Sequence, residues 1–210
     1  MSFMKKIIVA AAAMLLACAT SFAQFNVNLG YANSKETTKV NSEKYSSSLN
    51  GFTVGFGYTL ELLDNLFFTP GVNYLFVGGA DANNVGGVFN LKGDVTEHYL
   101  NVPLTFSYDL ELAPNTSFFV FAGPTASFGL ASTTKVTASA FGYQADTRID
   151  NYDGDGYKRF DIMIGGGAGI KFADKYCFKV GYDYGLLNRI DSSNASEHRG
   201  QLTVGIAYLF

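Results

Sequence analysis

Tryptophan is absent from this 210-residue sequence, and histidine and cysteine each occur only twice. Charged residues make up 16%, against about 25% in an ordinary soluble domain. So little charge argues against a fully solvated surface, and a formal net charge of −3 gives no reason to expect a nucleic-acid partner. Beyond residue 24 there is no apolar run of the roughly 20 residues that a transmembrane helix needs. In their place stand 15% aromatic residues and 23 glycines. If such a chain sits in a membrane, a closed β-barrel remains, because every backbone N–H and C=O must find a partner there.

Residues 1–23 read as a signal peptide. Lys5 and Lys6 precede the apolar run Ile7 to Leu16, and Ser21-Phe22-Ala23 puts small residues where a signal peptidase reads, with Gln24 as the mature start. Met4 is an alternative beginning. A rival reading takes Leu15-Leu16-Ala17-Cys18 as a lipoprotein site, although Leu is uncommon two positions before a lipidated Cys. After ordinary cleavage only Cys177 remains, which excludes an intramolecular disulfide and points to a packed residue.

From residue 24 to 210, one expected domain, apolar and small or polar residues alternate in eight segments. The apolar series are Phe25 to Tyr31, Phe52 to Tyr58, Leu66 to Phe76, Leu100 to Tyr108, Phe118 to Phe128, Phe160 to Phe172, Tyr176 to Tyr184 and Leu202 to Phe210. A soluble β-sandwich also alternates. Here, however, the apolar rows run almost unbroken and end in Tyr or Phe, as aromatic girdles do. The opposite rows are Gly, Ser, Thr and Asn, which suit the filling of a narrow lumen. The expectation is an all-β, eight-stranded antiparallel up-and-down transmembrane barrel.

Connections alternate as well. Residues 34–49, 78–94, 131–156 and 190–198 read as long polar loops, and those near 60–65, 109–117 and 173–175 as short turns. That asymmetry predicts an outer-membrane protein with loops outside and both termini in the periplasm. Pro70, Pro103 and Pro124 fall inside strands, where each removes a ladder hydrogen bond, and each is expected to mark a bulge or a strand end.

The segments Thr69-Pro70-Gly71-Val72-Asn73-Tyr74, Leu100-Asn101-Val102-Pro103-Leu104, Phe121-Ala122-Gly123-Pro124, Arg159-Phe160-Asp161-Ile162 through Gly165-Gly166-Gly167-Ala168-Gly169, and Gly181-Tyr182-Asp183-Tyr184-Gly185-Leu186 resemble the PorT-like outer-membrane β-barrel family of Bacteroidota. The resemblance covers nearly the whole chain after residue 23. It implies an eight-stranded outer-membrane barrel in which the in-strand prolines are ordinary. For activity it implies little; a service in protein secretion or envelope assembly rests on the family's namesake alone.

Candidate functional residues fall into few groups. Leu202, Val204, Ile206, Tyr208 and Phe210 resemble the C-terminal signal read by the barrel-assembly machinery, and also suit a plain lipid-facing strand. Glu97, Arg159, Asp161, Lys171, Lys179 and Asp183 are expected as a lumen charge network: either salt bridges plugging the interior, or the lining of an ion path. An eight-stranded interior is about wide enough for side chains alone, which favours the plug. Asn26, Asn28, Asn73 and Asn101 are the polar residues a small pore would use.

His98 and His198 each follow a carboxylate, Glu97 and Glu197, but strand neighbours point to opposite faces, so no triad and no enzyme is expected. Asn151-Tyr152-Asp153-Gly154-Asp155-Gly156 begins like a calcium loop, yet Ile162 stands where its bidentate Glu belongs. No metal or cofactor is expected. The loop charges Lys35, Lys39 and Lys44 are offset by Glu36 and Glu43. The role read from these residues is structural or interactive in the cell envelope: outer-membrane lipid and the insertion machinery as partners, with envelope or secretion proteins beside them.

Overall fold

The computed structural model describes residues 24–40, 43–85, 89–140, 143–153, 157–190 and 195–210. The signal-peptide and lipoprotein readings of the first 23 residues lie outside these, as do residues 154–156 of the Asp/Gly loop. Nine strands follow in chain order: β1 (Gln24–Val40), β2 (Glu43–Leu63), β3 (Leu66–Val85), β4 (Phe89–Ala113), β5 (Thr116–Ala140), β6 (Tyr143–Asp150), β7 (Phe160–Phe172), β8 (Tyr176–Gly185) and β9 (Ala195–Leu209). Each pairs antiparallel with its neighbours, and β1 pairs with both β2 and β9. With β4 on β5, β5 on β7, β7 on β8 and β8 on β9, eight strands close a ring from which β6 alone is left out.

The eight apolar segments all lie in ring strands, with their hydrophobic rows turned outward. Ile206 is 59% exposed and Phe56 50%, while Ala32 and Leu75 on the inward rows are at 0%. Such inversion is stable only where the surroundings are themselves apolar. Aromatic contacts rim the outward surface at both ends. Phe52 meets Phe76 at 5.4 Å and Phe128 meets Phe160 at 4.9 Å at one end. Phe25 meets Phe210 at 5.8 Å and Tyr176 meets Tyr208 at 5.3 Å at the other. Between these rims run the membrane-crossing segments.

Three tight turns and both described chain ends share one end of the barrel. Asn65 and Asn115 carry φ of 65° and 59°, the left-handed positions that Asn tolerates, and Ala173 and Asp174 carry 49° and 56°. The opposite end differs from the sequence reading. Residues 34–40 and 43–49 continue the β1–β2 ladder to Val40↔Glu43. Residues 78–85 and 89–94 continue β3–β4 to Val85↔Phe89, and β5 folds back on β6 over 133–150. Most of the expected loops are therefore paired hairpins. Thr-rich alternation such as Glu36-Thr37-Thr38-Lys39-Val40 has strand propensity of its own, and neighbouring ladders carry it past the rim.

The prolines also behave differently from expectation. Register shifts occur at Glu61/Leu63, His98/Tyr99 and Glu111/Ala113, none of them at a proline. Pairing lapses instead between Gly57↔Gly71 and Leu60↔Phe68, between Pro70↔Leu104 and Asn73↔Asn101, and between Pro103↔Thr125 and Phe106↔Ala122, then resumes in the same register. The lost N–H costs local bonds on one side, while the intact neighbours hold the strand in line.

Candidate functional site: the charged plug of the lumen

Inward rows decide what the barrel interior can do. Near the hairpin end, Arg189, in the connection after β8, turns into the mouth and is 2% exposed. Its guanidinium bonds to Glu36 of β1 and, through Nη2, donates to Tyr99 Oη of β4 at 2.6 Å. It lies 3.5 Å from Glu97 Oε1 and 3.4 Å from Glu197 Oε1, the latter an ion pair without a hydrogen bond. Tyr99 Oη donates to Glu97 Oε2 at 2.6 Å, and Ser132 Oγ donates to Glu97 Oε1 at 2.8 Å. Tyr157 and Thr38 hydroxyls both donate to Glu197 Oε2 at 2.9 Å. One arginine thus draws together four elements, and three carboxylates meet it.

The electrostatics follow from that imbalance. Burial raises the Glu36 carboxyl from 4.5 to about 7, with Glu97 adding to the rise and Arg189 opposing it. Burial also works against a charge on Glu97, but Arg189 with the Tyr99 and Ser132 hydroxyls prevails and holds it below its usual range. Burial, then the Glu197 charge, pushes the Tyr157 phenol up. The cluster therefore settles as one arginine among carboxylates that do not all ionise at once.

One layer deeper, Arg199 of β9 is 1% exposed and lies over the Tyr99 ring, with Nη2 donating to Ser127 Oγ at 2.7 Å. Ser127 Oγ in turn donates to Asn101 Oδ1 at 2.7 Å. Below comes a cavity of about 100 Å³ lined by Asn28, Asn73, Lys179, Asp183, Gln201 and Thr203, among others. Asn28 Nδ2 donates to Asn73 Oδ1 there at 3.1 Å. A second cavity of about 120 Å³ opens toward the turn end, lined by Asn26, Ser107, Asp109, Lys171 and Cys177. Phe121, Thr105 and Lys179 line both and form the partition. The Phe121 ring leans on bare backbone: a Cβ added at Gly167 or Gly181 would stand 2.7 or 2.9 Å from its Cζ. Small residues opposite large ones fill a narrow barrel in this way.

The sequence-predicted charges separate accordingly. Glu97 joins the mouth cluster. Asp161 is 4% exposed, and its Oδ1 accepts the Leu187 N–H at 3.1 Å, tying β7 to the connection that carries Arg189. Lys171 pairs with Asp109 and lies 5.0 Å over the Phe67 ring. Lys179 and Asp183 face the upper cavity. Arg159, expected in the lumen, is instead exposed; it stacks 4.4 Å over Tyr152 and donates to Leu130 O at 3.2 Å. Arg159 opens the β7 row beyond the rim, where the alternation no longer points into a closed ring.

Arg189, Arg199 and Tyr99 were not singled out in the sequence, where Glu36 reads as an offset loop charge and Glu197 only as the carboxylate before His198. Extending the inward parity of Thr203 and Gln201 back along β9 reaches Arg199 and Glu197, so two of the five were within reach. Leu202, Val204, Ile206 and Tyr208 form the outward row of β9, between β1 and β8, and Phe210 follows its last residue with its N–H donating to Phe25 O at 2.8 Å. Both histidines also face outward. His98 Nδ1 meets Tyr74 Oη at 2.5 Å, and His198 stacks on Tyr184 at 5.8 Å, each apart from the inward carboxylate beside it. Asn151, first in the calcium-like loop, spends its amide on Ser132 and Thr134. Among the described residues no group of three His, Cys, Asp or Glu is placed to hold a metal ion.

The family model described as outer membrane protein beta-barrel domain matches residues 19–191. No curated protein sequence matches. Among solved structures, Ail, the attachment invasion locus protein of Yersinia pestis, aligns at 15% identity with a TM-score of 0.48, over 90% of this chain and 100% of Ail. Neisserial surface protein A aligns at 13% and 0.45 over 90% and 100%, and the outer membrane enzyme PagL at 14% and 0.45 over 85% and 98%.

Proposed function

The chain belongs to the outer membrane protein β-barrel domain family, and on that premise we propose that it is an envelope barrel with a closed lumen, whose working surface is the crown of hairpins beyond the rim. The mouth cluster carries this reading: Arg189, with Glu36, Glu97 and Glu197 around it, blocks the hairpin end, and Phe121 partitions the lumen below. The finer reading places the protein among the PorT-like barrels of Bacteroidota, exported by a signal peptide over residues 1–23, with the turn end periplasmic. Leu202, Val204, Ile206, Tyr208 and Phe210 then serve the barrel-assembly machinery before they meet lipid.

A planar-bilayer recording of the refolded, heat-modifiable barrel tests the closed lumen. A silent bilayer is expected. Discrete open steps, altered by replacing Asp161 or Lys179, would overturn the reading in favour of a small pore.

A further inference from the structure

Strand β6 has one ladder neighbour among the described residues, β5, and every residue from Gln144 to Asp150 is exposed. Among the described residues no strand pairs with its other edge. The phase of that edge can be read from the ladder. Asn151 N–H donates to Ser132 O at 2.8 Å, one step past the Thr133↔Asp150 pair. Ladder bonds alternate, so the odd-numbered residues of β6 bond to β5, and Gln144, Asp146 and Arg148 turn their N–H and C=O to the open side. Unpaired edges of this kind template the addition of another strand.

We propose that this edge docks a second copy of the chain, β6 on β6, antiparallel about Thr147. In that register Asp146 faces the partner's Arg148, Arg148 faces the partner's Asp146, and Ala145 faces the partner's Ile149. Both cross-pairs are opposite charges on residues whose backbone groups are free to bond, giving about four ladder hydrogen bonds between Asp146 and Arg148 of the two copies. Thr147 meets itself at a non-hydrogen-bonded position. The charge pattern also answers a local need. Arg148 stands directly opposite Lys135 within its own ladder, while Lys135 already pairs with Asp146 at 3.0 Å. Among the described residues no carboxylate pairs with Arg148, and the partner's Asp146 supplies one. Because β6 stands on β5 as the outward continuation of a membrane-crossing strand, an antiparallel partner enters from the opposite direction. The two barrels then face each other across a gap, and the contact bridges two apposed membranes.

This inference rests on the crown being the working surface, but its test is independent of conduction. Thr147→Cys in a Cys177→Ser background places the new thiol opposite its own copy, at the Cα separation of about 4.5 Å that a disulfide accepts. Mild oxidation of the refolded barrel in detergent is expected to give at least about tenfold more linked dimer than Ala145→Cys, whose thiol faces Ile149. D146R alone and R148D alone are expected to lose dimer several-fold, and an equimolar mixture of the two to regain it, since each supplies the charge the other lacks. Vesicles bearing D146R and vesicles bearing R148D should cluster only when mixed. Equal linking by Thr147→Cys and Ala145→Cys, or no rescue in the mixture, would overturn the proposal.

Discussion

The guanidinium of Arg199 on β9 lies 3.8 Å over the ring of Tyr99 on β4, directly across the barrel, because three strands separate the two either way around the ring. The same ring carries Arg189 at its hydroxyl and lies 5.6 Å from that guanidinium. A single aromatic side chain therefore spans the lumen between two buried arginines and couples opposite walls.

Tyr99→Phe keeps the ring and removes the hydroxyl that links Arg189 to Glu97. The expected loss is about 1–3 kcal/mol, the cost of leaving buried partners unsatisfied. Tyr99→Leu removes the cation–π contact as well and is expected to lose more. Urea unfolding of the refolded barrel, followed by its change in gel mobility, reads both; equal stability of the two variants would count against the ring contact.

Arg189→Met leaves Glu36, Glu97 and Glu197 buried at the mouth without their cation. Breaking a buried ion pair from one side costs about 3–5 kcal/mol. The same variant is expected to loosen the hairpin end, so that proteolysis cuts the connection after β8 sooner. Adding Glu36→Gln and Glu197→Gln should return part of the stability, because the uncompensated charges are then gone.

The plug also carries a pH dependence of definite sign. Glu36 titrates at about 7 in the folded barrel, raised from 4.5. The folded state therefore holds this proton more tightly than the unfolded state, and stability falls as pH rises between about 4.5 and 7. The groups facing Glu36 are Glu97, Glu197 and Arg189. Glu97, held below its usual range, contributes its own change only at more acid pH. Melting temperature should be higher at pH 5 than at pH 7.5, and Glu36→Gln should flatten that slope. A slope unchanged by Glu36→Gln would assign the effect to another group.

Gly181→Val drives a side chain into the Phe121 ring, where a Cβ alone would stand 2.9 Å from Cζ. Overpacking of this kind costs about 1–3 kcal/mol. Phe121→Ala alone joins the two lumen cavities and costs roughly 3 kcal/mol. In the double variant the new methyls occupy part of the vacated space, so its loss should be smaller than the sum of the two. Strict additivity would mean that the two residues do not share the partition.

The ring strands were legible in the sequence because a barrel wall obeys one rule, apolar outward and small or polar inward, residue after residue. Leu202 to Phe210 and Phe52 to Tyr58 needed nothing further. The mouth cluster was harder to read, because its members arrive from four elements and its central Arg189 lies in no strand at all. Glu36 shows the difficulty in one residue. Among lysines in a polar stretch it looks like a solvated loop charge, and only the continuation of the β1–β2 ladder turns it inward to Arg189. The hairpins were missed for a related reason: polar alternation beyond the rim has no lipid-facing row to announce it. Arg159 failed in the opposite direction, since parity was extended to a position where the ring no longer encloses a lumen.

The seam between β1 and β9 sets the order of events in the life of the molecule. Asn26, almost the first residue of β1, bonds alongside Leu209, almost the last residue of the chain. The opening strand must wait for the final one to emerge before the wall can shut. Until then its Phe/Val/Leu/Tyr row and its unpaired edge stay open to wrong partners, and contacts this distant in sequence form slowly.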